Sequence, residues 1–80
     1  MPEDEKMERT SEILEKRAER LIEQARRTDN RIEKATALKE LGDTRYIQYL
    51  NNRQERYRKL SANCYLAAEY LRIGQKNSYD

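Results

Sequence analysis

Apolar residues recurring at alternating intervals of four and three limit this chain more than any other feature, because that spacing draws one apolar stripe along an α-helix and suits no strand. The run starts at Leu14 and passes through Ala18, Leu21, Ala25, Thr28, Ile32 and Ala35, with Ile13, Ile22 and Leu38 widening it. A second run keeps the same rhythm through Tyr46, Leu50, Arg53, Tyr57, Leu60, Cys64, Ala67 and Leu71. The chain is therefore expected to be all-α.

Punctuation residues set the expected boundaries. Pro2 followed by Glu3, Asp4 and Glu5 suits a helix start, since Pro fits the first turn and acids there complement the helix dipole. Gly42 can take the left-handed position that ends a helix, and Asp43 can cap the next one. One domain over residues 1–80 follows: a helix over about 3–41, a turn at 42–43, a helix over about 44–73 and a frayed tail over 74–80. Folded back as an antiparallel helical hairpin, the two long helices set Leu14 against Leu71, Ala18 against Ala67, Leu21 against Cys64 and Ala25 against Leu60. A second reading breaks the first helix at Thr28-Asp29-Asn30, where weak helix formers precede an Asn30/Glu33 capping pair. The segment 37–47 would then resemble a helix-turn-helix with Gly42 in its turn.

The core inventory is thin: 36% of 80 residues are hydrophobic, with no Phe and no Trp. Chains of this size bury a small fraction of their surface, so self-association is the expected remedy. Ile47, Ser61, Tyr65 and Ala68 lie beside the seam of the second helix and widen its apolar stripe, which marks them as the oligomer interface of a homodimeric four-helix bundle.

Composition also narrows the chemistry. The sequence holds no His and a single Cys, so no intramolecular disulfide and no ordinary zinc site is expected, and no metal or other cofactor is called for. No phosphate-binding glycine loop and no nucleophile motif is present, so the chain is not expected to be an enzyme. Cys64 falls on the seam as a small hydrophobe, and Tyr46 and Tyr57 read as core-edge residues. Arg53 also falls on the seam, where its head must reach water or a partner such as Glu33. Since no apolar run is long enough for a signal-peptide core or a membrane span, a cytoplasmic protein without a membrane partner is expected.

Charge is unevenly distributed. Residues 1–15 carry six acids and two bases, whereas residues 16–60 carry thirteen bases and seven acids. At 100° per residue, Arg45, Tyr49, Asn52, Arg56, Lys59, Asn63 and Tyr70 fall along one stripe of the second helix. Arg pairs bidentately with guanine or phosphate, Asn with adenine and Lys with phosphate, so the stripe has the residue types of a helix lying in a major groove. The hairpin register would bring Arg26, Arg27 and Arg31 level with it, closing a basic belt far from the acidic terminus. The bland alternative is a solvated face whose bases are answered by Glu19, Glu23, Glu33 and Glu55.

Length, composition and the basic segment Arg53-Gln54-Glu55-Arg56-Tyr57-Arg58-Lys59 resemble the small DNA-binding proteins of crenarchaeal plasmids. That resemblance implies a sequence-specific binder of double-stranded DNA with a role in plasmid regulation or maintenance. The leading expectation is thus a homodimeric DNA-binding protein that uses the stripe. The rival is a helical protein-interaction module that takes a partner helix on Ile47, Tyr65 and Ala68.

Overall fold

The computed structural model describes the backbone of residues 2–76 and the side chains of residues 9–73. Three helices appear among them and no strand: α1 (Pro2–Arg27), α2 (Arg31–Asn52) and α3 (Glu55–Lys76). The all-α expectation holds, and Pro2 does open the first helix. The continuous helix over 3–41 and the turn at 42–43 do not, because the breaks fall at 28–30 and 53–54 instead.

Each break has a local cause. Asn30 takes an extended conformation (φ −78°, ψ 121°) and its Oδ1 accepts from the Glu33 backbone N–H at 3.0 Å. The Thr28 hydroxyl donates to Glu33 at 2.7 Å and accepts from the Asn30 N–H at 3.2 Å, so side chains replace the missing helical bonds. This is the capping pair of the second sequence reading. At the other end Arg53 caps α2 in the left-handed region (φ 59°), its N–H bonding to the Tyr49 carbonyl. Asn52 Oδ1 then accepts from the Gln54 N–H at 3.1 Å.

Gly42 ends nothing; it lies buried within α2. A helix-ending glycine needs positive φ, which no described glycine has. What requires glycine is the approach of α3: a Cβ at Gly42 would stand 2.8 Å from Cε1 of Tyr65. The Ser61 hydroxyl donates to the Gly42 carbonyl at 2.8 Å, which fastens α3 at the same point. The helix-turn-helix over 37–47 is excluded by the same observation, since those residues form continuous helix.

The helices run up, down and up, with α2 in the middle. Among the described residues no Cα of α1 comes within 8 Å of one in α3, so the backbones pack closely only between helices adjacent in sequence. The thinnest extent of the chain is 12 Å, the order of a single helix diameter. Against α1, α2 sets Leu41, Thr44, Gln48 and Asn51; against α3 it sets Gly42. The small core consists of Ala18, Leu21 and Leu41, with Ile22, Leu38 and Cys64 packed on it. Leu14, Ala18, Leu21, Ala25 and Ala35 are buried as the first seam predicted, whereas Ile32 of the same seam is exposed beyond the break at 28–30. The second seam reaches the core at Cys64, but Tyr46, Leu50, Leu60 and Ala67 are exposed. Residues 77–80 of the expected frayed tail lie outside the described residues, while α3 runs through Gly74 to Lys76.

Substitutions at the two breaks should move stability in opposite directions. Asn30→Ala removes the cap of α2 and should cost about 1 kcal/mol. Arg53→Gly relieves a left-handed conformation that disfavours a Cβ and should add about 0.5–1 kcal/mol. Urea unfolding followed by circular dichroism reads both; a neutral result at both positions would mean that the helix continues through them.

Candidate interaction surface

Arg45 heads the expected DNA stripe, yet its side chain is only 12% exposed. Its Nη1 donates to Glu15 Oε2 at 3.0 Å and to Gln48 Oε1 at 2.9 Å, and Gln48 Nε2 donates to the same Glu15 oxygen at 2.7 Å. This triangle, with Arg17 Nε donating to the Thr44 hydroxyl at 3.2 Å and Asn51 Nδ2 to the Ser11 hydroxyl at 3.1 Å, is the polar seam between α1 and α2. A half-buried guanidinium satisfied in this way holds two helices together and is not available to a phosphate.

The rest of the stripe is divided by the 53–54 break. Tyr49 is half-buried, its ring 6.0 Å from that of Tyr46 and the Arg53 guanidinium 5.8 Å from its centroid. Asn52 is held in the turn. On α3, Arg56 donates to the Tyr57 hydroxyl at 3.1 Å and lies over its ring at 4.9 Å, while Lys59 and Asn63 are exposed. Glu55 answers Arg58, and that hydrogen bond holds the Glu55 carboxyl below its usual range.

Arg26, Arg27 and Arg31 do not join these residues. They sit at the α1–α2 connection, whereas Asn52 ends α2; Arg31 and Asn52 are separated by 21 residues of one helix, about 32 Å. Arg27 is moreover paired with Glu23 at 2.8 Å. The belt therefore resolves into two clusters at opposite ends of the layer. The described acids at the start of the chain are also not at the far end: Ser11 lies opposite Asn51, and Glu12 and Glu15 line one cleft with Arg56.

Of the four expected interface residues, Ser61 and Ala68 are buried against α2 within the same chain. The Tyr65 ring covers Gly42 and its hydroxyl donates to Asp43, which raises the phenol above its usual pKa. Ile47 is open, 48% exposed, and Tyr65 keeps 38% of its surface beside Gly42.

Ile47 belongs to a surface that the expected turn at 42–43 had divided. With its two flanks packed on α1 and α3, α2 keeps a third side uncovered, formed by Ile32, Thr36, Lys39, Asp43, Tyr46, Ile47 and Leu50. Ile32, Tyr46 and Leu50 are 54%, 45% and 45% exposed. The four-three spacing of 32, 36, 39, 43, 46 and 50 was present in the sequence as the signal for this side. A second apolar stripe, Leu66, Tyr70 and Ile73, lies on the outer side of α3.

A polar cleft between the three helices is lined by Glu12, Glu15, Arg45, Asn52, Arg56 and Tyr57 among others, with both charge signs in its walls. Among the described residues no group of His, Cys, Asp and Glu could hold a metal ion, and no helix is long and apolar enough to cross a membrane. Comparisons with family models, curated proteins and solved structures return no match.

Two outcomes follow from this geometry. Glu15→Ala should lower stability by about 1–2 kcal/mol in urea unfolding, because it strips a carboxylate from both Arg45 and Gln48 while solvent screens part of the loss; no change would remove the triangle as the α1–α2 fastening. Burial raises the Cys64 thiol above its usual pKa. Its alkylation at neutral pH should be slow in the native chain and fast in urea, whereas equal rates would place the thiol in solvent.

Proposed function

We propose that the chain is a non-enzymatic helical interaction module whose working surface is the uncovered side of α2, which it packs against another protein. The observation that carries this reading is the exposed stripe Ile32, Tyr46, Ile47 and Leu50 on the helix that is otherwise enclosed on two flanks. Scattered surface hydrophobes need no explanation, but four large ones aligned on the central helix of a layer mark a surface built to be covered. Close backbone packing only between helices adjacent in sequence supports the reading too, because helical solenoids present their open faces to partners in this manner. Self-association into a homodimer belongs with it: the internal core rests on alanines and a few leucines, too little apolar burial for a stable isolated layer. In place of two hairpins forming a four-helix bundle, the unit that associates is a three-helix layer.

A second reading, binding of double-stranded DNA, is favoured by Arg53, Arg56, Lys59 and Asn63. They are exposed around the α2–α3 turn, and the three bases have no carboxylate ion-pair partner among the described residues. In this reading, phosphate contacts dominate and a plasmid-type regulator remains the functional class; Arg45 is left out of the contact set.

Ile47→Glu combined with Leu50→Glu should leave helix content unchanged and abolish association in sedimentation velocity. Full association of that variant would remove the α2 surface from the account. For DNA, Arg56→Ala with Lys59→Ala should weaken duplex binding in fluorescence anisotropy and flatten its log-log salt slope by about 2; unaltered affinity would dispose of the second reading.

A further inference from the structure

We infer that the surface covering the open side of α2 is the same side of a second copy, packed antiparallel about a two-fold axis level with Leu41. The inference rests on the reading of that side as the working surface, and it adds the occupant and the register.

The stripe 32, 36, 39, 43, 46, 50 alternates steps of four and three without a break, the spacing by which two helices interlock side chains along a shared seam. The residues of α2 that face α1 and those that face α3 are roughly 150° apart around the helix axis, so the third side is left uncovered, with the Tyr65 hydroxyl on Asp43 at its edge. Two-fold symmetry then requires each pairing to occur twice. With the axis level with Leu41, Ile32 meets the partner's Leu50, Thr36 meets the partner's Tyr46 and Lys39 meets the partner's Asp43. Apolar ends pair with apolar ends, and the only two charges on the seam pair with opposite sign.

Neighbouring registers fail this test. Moving the axis by half a heptad toward the C-terminus sets Lys39 against the partner's Leu50 and Asp43 against the partner's Tyr46. Moving it the other way sets Ile32 against the partner's Asp43 and leaves Tyr46 and Leu50 uncovered. Both bury a charge against an apolar side chain, which is costly without a partner. Lys39 and Asp43 are both exposed in the single chain; Oδ1 of Asp43 takes the Tyr65 hydroxyl, which leaves Oδ2 to meet a lysine across the seam.

Sedimentation equilibrium of the full chain, with circular dichroism to check helix content, tests the pairing. The wild-type chain should form a reversible dimer. Lys39→Asp places two acids together twice per dimer and should raise the dissociation constant about tenfold, and adding Asp43→Lys should restore it to within about threefold. A second measurement does not depend on charge: in a Cys64→Ala background, Ile32→Cys and Leu50→Cys chains mixed and oxidised should cross-link, while neither alone should. A dimer that ignores Lys39→Asp and does not cross-link, yet dissociates with Ile47→Glu and Leu50→Glu, overturns this register and leaves the α2 surface standing. A chain that stays monomeric overturns the second copy and leaves that surface to a different protein. A dimer indifferent to all these changes overturns the surface as well.

Discussion

The close approach of α3 to Gly42 is the contact on which the rest of the molecule depends. A residue without a side chain there admits the Tyr65 ring and lets the Ser61 hydroxyl reach the Gly42 carbonyl at 2.8 Å. Because glycine serves the packing, α2 continues through it, and one flank of the helix is committed to α3. The opposite flank is committed to α1 by Leu41 and by the Glu15, Arg45 and Gln48 triangle. A helix held on both flanks cannot turn its remaining side inward. The exposure of Ile32, Tyr46, Ile47 and Leu50 is thus a consequence of how α2 is fastened.

The same fastening rearranges the charges. Arg45 becomes an internal tie, the bases near 26–31 and those near 53–59 separate along the length of α2, and Glu12 and Glu15 of α1 share a cleft with Arg56. A phosphate backbone would meet two small clusters in place of one continuous basic surface, one of them sharing a cleft with Glu12 and Glu15. In the DNA reading, Arg53, Arg56 and Lys59 are the residues through which the duplex would be held.

Helical class was legible because the spacing of Leu14, Ala18, Leu21 and Ala25 is a property of local geometry, and those residues are buried. Topology was less legible for a physical reason: Gly42 satisfies two opposite requirements, ending a helix or admitting a close neighbour, and the distinction lies in Tyr65, 23 positions away. The Asn30 cap was readable from its spacing to Glu33, since that bond spans three residues. The break at Arg53 carried no such mark, because a left-handed arginine has neither the glycine nor the asparagine that would announce it. Among the four expected interface residues, Ile47 and part of Tyr65 survive as exposed surface. Ser61 and Ala68, expected at an interface between copies, are already buried within the single chain.

Hydroxyl-radical footprinting of the chain over a concentration series tests the central claim, that the open side of α2 is the surface this fold exists to present. Oxidation of Tyr46, Ile47 and Leu50 should fall as the chain associates, with Leu66 and Tyr70 on the outer side of α3 reacting as before. Protection confined to Leu66 and Tyr70, with Tyr46, Ile47 and Leu50 equally reactive at every concentration, would contradict it.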